Sequence, residues 1–92
     1  MRVILREAAY ADLEQIFAWI AKDNPRSASS VVSEIFESIE RLEIVPEIGR
    51  NGKVNRTREW VVRGLPYIVV YSIDKSRNLV IIVGIVHVAR DR

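Results

Sequence analysis

At 92 residues and 10.6 kDa, 49% hydrophobic, with four glycines and three prolines, the chain has room for one globular domain (1–92) and is neither disordered nor collagen-like. The absence of cysteine and the single histidine, His87, exclude a disulfide scaffold, a thiol nucleophile and a cysteine-based zinc site, and no metal or cofactor is expected. The net charge of +2 divides unevenly: residues 1–48 carry five cations against nine carboxylates, residues 49–92 nine against three, so an acidic and a basic face are expected, the basic one attractive to phosphates or an acidic partner.

Arg2–Arg6, a short apolar run between charges, reads as a first strand. Leu13, Ile16, Phe17 and Ile20 then fall at i, i+3, i+4 and i+7, the stripe of an amphipathic helix running from Ala8 to about Lys22 or Asp23. Asn24-Pro25 resets the chain, with Asn24 as N-cap and the proline in the first turn of a second helix. That helix carries Ala28, Val32, Ile35, Ile39 and Leu42 on one side and ends before Pro46 and Gly49. The short break between the two stripes makes them an antiparallel hairpin. Residues 47–56 are polar and read as a loop. Thr57–Arg63, Tyr67–Ile73 and Leu79–Val88, rich in Val, Ile, Tyr and Trp, read as strands joined by the turn-forming segments 64–66 and 74–78. Links this short require antiparallel neighbours. The fold expected is therefore α+β: strand, helical hairpin, three-stranded antiparallel meander.

Two of these strands are apolar on both sides. Tyr67, Val69, Tyr71 and Ile73 alternate with Ile68, Val70 and Ser72. A strict alternation in the last strand places Leu79, Ile81, Val83, Ile85 and His87 opposite Val80, Ile82, Gly84, Val86 and Val88. Helices cover one face, so the second is expected either to be buried as a central strand is or to be covered by the long loop or another chain. No apolar run approaches the ~20 residues that cross a bilayer. Residues 1–6 are too short for a signal peptide, and a cytoplasmic protein is expected.

No phosphate loop or hydrolase triad is present, and Glu34, Glu37, Glu40 and Glu43 read as a solvated helix face. What remains is the basic half. Metal-free RNA cleavage needs a base, an acid and cations for the phosphate. His87 has the chemistry of the first two; Arg58 and Arg90 have that of the third.

Several motifs, in order, resemble one family across nearly the whole chain. They are Ala11-Asp12-Leu13-Glu14-Gln15-Ile16, Asn24-Pro25-Arg26-Ser27-Ala28, Pro46-Glu47-Ile48-Gly49-Arg50 and Thr57-Arg58-Glu59, then Leu65-Pro66-Tyr67-Ile68-Val69-Val70-Tyr71 and His87-Val88-Ala89-Arg90-Asp91. Together they resemble the RelE/ParE superfamily, the toxins of type II toxin–antitoxin modules. The resemblance implies growth inhibition, plasmid stabilisation and a cognate antitoxin that wraps the toxin. It offers two activities: RelE-type members resemble ribosome-dependent mRNA endonucleases, whereas ParE-type members poison DNA gyrase without a known hydrolytic site. The nucleases place an arginine directly after the first tyrosine of the Tyr-x-x-x-Tyr strand; here that position is Ile68, and Arg92 ends the sequence without a terminal tyrosine. The expectation is a ParE-like gyrase inhibitor with no membrane partner. An mRNA interferase acting at the ribosome through Arg58, His87 and Arg90, or a degenerate toxin that keeps only antitoxin binding, are the alternatives. Target contacts are expected at Arg58, Trp60, Arg63, His87, Arg90 and Arg92. Antitoxin contacts are expected at Leu13, Phe17, Arg58, Arg63, Tyr67, Tyr71 and Arg90.

Overall fold

In a computed structural model, which describes residues 1–89, the elements are β1 (Arg2–Leu5), α1 (Glu7–Ala21), α2 (Pro25–Ile44), β2 (Arg50–Asn51), β3 (Arg58–Val61), β4 (Tyr67–Asp74) and β5 (Leu79–His87). They form one five-stranded sheet in the order β1-β5-β4-β3-β2, with β1 parallel to β5 and every other pair antiparallel. The expected α+β order is present, and the two-residue strand β2 is added within the segment read as loop.

Local chemistry explains the helix boundaries. Asn24 Oδ1 accepts a 3.1 Å bond from the Ser27 amide, and Pro25 opens α2 as anticipated. Helix α1 has no side-chain cap at Arg6; Glu7 in its first turn favours the dipole instead. The α2 stripe packs largely as read, with Ala28, Ile35, Ile39 and Leu42 buried. The α1 stripe is buried only in part: Ala9 and Leu13 enter the core, while Phe17 remains 41% exposed.

The core lies between the hairpin and one face of the sheet, where Tyr67, Val69 and Tyr71 of β4 meet Val80, Ile82 and Ile85 of β5. Here the strict alternation expected for the last strand fails. Val70 pairs with Gly84 but Tyr71 with Ile82, so Val83 is an extra residue and the register shifts. Such a bulge exchanges the faces beyond it. Val80, Ile82, Ile85 and His87 therefore share the inner face, in place of the set Leu79, Ile81, Val83, Ile85 and His87. On the outer face Ile4 and Val61, near its two edges, are 40% and 44% exposed, whereas central Ile68 is only 2% exposed.

The connections use residues suited to them. Gly64 has φ +76°, in the left-handed region. In the β4–β5 turn Asp74 Oδ1 accepts from Ser76 Oγ at 2.7 Å and the Arg77 amide at 3.2 Å, and these bonds lower the Asp74 carboxyl below its usual range. Asn78 adopts φ 58°, which asparagine tolerates. Arg56 adopts φ 66° at the tip of the β2–β3 connection, a conformation that costs a non-glycine residue about 1–2 kcal/mol.

Candidate functional site

The candidate residues fall at opposite ends of the inner face. At one end the α2–β2 connection folds back over β3 and β4. Tyr71 is fully buried, and its hydroxyl donates to the Pro46 carbonyl at 2.7 Å while accepting from the Gly49 amide at 2.9 Å. Arg58, paired with Tyr71 across the sheet, donates from Nη1 to the Glu47 and Gly49 carbonyls at 3.2 and 3.0 Å. The guanidinium is thus a clamp on the connection. Arg50 completes this end, its Nη2 3.1 Å from Glu59 Oε1 on the neighbouring strand.

Burial pushes the Tyr71 hydroxyl above its ordinary pKa of 10.0, with the Gly49 amide and the Arg58 charge pulling back. The sign follows. In the unfolded chain tyrosine ionises near pH ~10 and in the folded chain later, so the unfolded state loses its proton first. Stability is complete below that pH and falls as pH rises through the window above it. Denaturant midpoints measured across this range should drop more steeply for the native protein than for Tyr71→Phe. Parallel profiles would contradict the assignment.

At the other end, His87 pairs with Tyr67, their rings edge to face at 5.3 Å. His87 Nδ1 accepts from the Ala89 amide at 3.1 Å, which leaves the proton of the neutral ring on Nε2. The ring lines a cleft of about 500 Å³ between α1 and the end of β5, with Asp12, Gln15 and Trp19 on the helix side. Asp12 Oδ2 accepts from the Ile85 amide at 2.9 Å, on the strand edge that β1 no longer covers past Ile82.

Arg58 and His87 therefore do not converge. Their β4 partners, Tyr71 and Tyr67, are four residues apart, and two strand spacings separate β3 from β5. At ~3.3 Å per residue and ~4.8 Å per strand, the two backbones are roughly 16 Å apart. The space between them is filled by core side chains. Arg90 and Arg92 lie outside the described residues.

Among the other candidates, Trp60 packs half-buried against the core, and Arg63 is exposed just past β3. Both line a groove of about 860 Å³ with Glu34, Glu37 and Arg41 of α2. Leu13, Tyr67 and Tyr71 are core side chains, so of the apolar candidates Phe17 alone presents a substantial surface. The Asp12 cap and the Tyr71–Gly49 bond were not foreseen. Both link residues far apart in sequence and have no local signature, although Asp12 and Gly49 each fall inside a recognised motif. Among the described residues no three His, Cys, Asp or Glu side chains are grouped to hold a metal ion, and no helix is long and apolar enough to cross a membrane.

A helical hairpin on one face of this mixed sheet is the α+β fold that the RelE/ParE resemblance implies. A family profile described as "ParE toxin of type II toxin-antitoxin system, parDE" matches residues 3–92, and the chain belongs to that family. It is 39% identical over 64 residues to "Putative toxin Y4kP" of Sinorhizobium fredii, covering 70% of this chain and 67% of that one. Among solved structures, it superposes on a chain of the chromosomal ParDE system of P. aeruginosa with a TM-score of 0.84 at 22% identity, over 96% of both chains. For the RelBE2 toxin–antitoxin complex of Mycobacterium tuberculosis the TM-score is 0.59 at 25% identity, over 94% of this chain and 95% of that one. For the isolated E. coli RelE toxin it is 0.72 at 13% identity, over 99% and 87%. The chain is thus a toxin of a type II toxin–antitoxin system.

Proposed function

We propose that this toxin acts by binding rather than by cleavage, as a ParE-like inhibitor of DNA gyrase, and that a cognate antitoxin neutralises it. The observation that carries the reading is the separation of Arg58 from His87 by a packed core, with the Arg58 Nη1 committed to two backbone carbonyls. Phosphoryl transfer without a metal requires a base and cations around one phosphate. Ile68, where the nucleases carry an arginine, is buried and supplies no cation. The match to the ParE family of type II toxin-antitoxin systems supports the antitoxin partner, and the choice of gyrase rests on the ParE-type resemblance.

In this reading Trp60, Arg63 and His87 contact the target, while Phe17 and Arg63 contribute to the antitoxin interface. Purified toxin should block supercoiling by gyrase and leave transcripts intact when induced without antitoxin. The substitution His87→Ala should remove one target contact among several, weakening gyrase inhibition in part without abolishing growth inhibition, and transcripts should stay intact. Untouched gyrase in the presence of a large excess of folded toxin, with rapid transcript loss abolished by His87→Ala, would instead establish an RNA-cleaving toxin.

A further inference from the structure

Two turns meet at the end of the sheet remote from His87. The β2–β3 connection and the β4–β5 turn flank a cleft of about 490 Å³. Arg56 and Arg58 line it from one side and Lys75 from the other, together with one carboxylate, Glu47, the uncharged hydrogen-bonding side chains of Asn51, Asn55 and Thr57, and the apolar Val54 and Ile73. Residues 47–59 and 74–77 carry six cations against three carboxylates, a local net charge of +3. Each carboxylate already faces a cation: Glu59 with Arg50 at 3.1 Å, Glu47 with Lys75 at 3.8 Å and Asp74 with Arg77 at 3.8 Å. Arg56 has no carboxylate partner among the described residues, and the partners of Arg58 are neutral carbonyls.

Arg56 supplies the second observation. It stands exposed in the left-handed region at φ 66°, in the turn closed by the Thr57 amide on the Val54 carbonyl at 3.1 Å. Glycine would fit there without strain, so the charged side chain stands there at a conformational cost that the turn itself does not require. Strain of this kind at an exposed position points to a contact made by the side chain itself.

We infer that this cleft grips the phosphodiester backbone of duplex DNA, with Arg56 and Lys75 as the contacting cations, Lys75 exchanging its exposed 3.8 Å pairing with Glu47 for a phosphate. Three cations against the single carboxylate Glu47, among Asn and Thr side chains, match phosphate oxygens. The commitment to DNA rests on the gyrase reading, because that target works on duplex DNA; the toxin then holds the DNA beside the enzyme.

The test is a fluorescence-anisotropy titration of the purified 92-residue toxin with a short labelled DNA duplex at several salt concentrations. An RNA duplex and the purified antitoxin serve as further arms. The native protein should bind DNA with a strong salt dependence. Arg56→Gly, which relieves the backbone, should melt no lower than native, yet bind DNA about three- to tenfold more weakly with a salt slope smaller by about one. Lys75→Gln should do the same, while Arg26→Gln on α2 should change nothing. Unchanged DNA binding in both cleft variants overturns the inference, as does equal or tighter binding to RNA. Loss of antitoxin affinity without loss of DNA affinity gives the cleft to the antitoxin and also overturns it. The two readings fail separately: DNA binding as described with gyrase unaffected removes the gyrase reading alone, whereas gyrase inhibition undiminished in both variants, without DNA binding, removes this one alone.

Discussion

Gly49→Ala should be the most damaging single-methyl change in this chain. A Cβ at position 49 would stand 2.5 Å from Tyr71 Oη, 2.8 Å from Tyr71 Cε1 and 2.9 Å from the Glu59 carbonyl oxygen. None of the three can yield cheaply. Tyr71 is fully buried, and the Glu59 carbonyl belongs to the strand that pairs with β2. The connection would have to lift away, breaking the Gly49–Tyr71 and Tyr71–Pro46 bonds and both Arg58 bonds together. Overpacking alone costs about 1–3 kcal/mol, and each of the four lost hydrogen bonds roughly 0.5–1.5 kcal/mol, so a total of at least about 3 kcal/mol is expected. That is a large fraction of the ~5–15 kcal/mol that holds a typical domain together. In a domain of this size Tm should fall by roughly 15 °C or more. Thermal denaturation followed by circular dichroism measures it, and a Tm within a few degrees of native would show that the connection closes without this contact.

The same region shows where sequence reading reaches its limit. Features decided by near neighbours were legible. Asn24 caps a helix whose proline follows it, and Ile35, Ile39 and Leu42 share one side of that helix because the helical period puts them there. Features decided at a distance were not. Strand β2 exists because Arg50 and Asn51 pair with Glu59 and Arg58, and its two polar residues have no strand pattern of their own. The Val83 bulge is a mismatch between two strands, so alternation along β5 alone places its first half correctly and exchanges the second. Of the candidate site, the residue types were readable but their convergence was not. Arg58 and His87 look equivalent as polar groups in a basic half, and the packed sheet separates them.

Arg58 itself provides the second large effect, and its outcome separates two roles. As a clamp, Arg58→Ala should leave the Glu47 and Gly49 carbonyls without their donor and loosen the connection over Tyr71. Hydrogen bonds from a charged donor are worth about 1.5–3 kcal/mol, less where solvent reaches the group, so a loss of about 1–3 kcal/mol is expected. The corresponding fall in Tm is roughly 5–15 °C. The Gly49 amide, buried against Tyr71, should exchange faster with solvent as the connection opens. Arg58→Lys should recover only part of the stability, because the shorter, more strongly hydrated lysine does not carry its ammonium to the place where Nη1 donates to both carbonyls. Growth inhibition weakened by Arg58→Ala should return at lower temperature, where the folded population recovers. A catalytic or target-contacting arginine predicts the opposite pattern: native Tm, native protection of Gly49, and activity lost at every temperature. Since loss of toxicity at one temperature fits both roles, melting and amide exchange must be measured beside it, and an unchanged Tm with an unchanged Gly49 amide would return Arg58 to the list of target contacts.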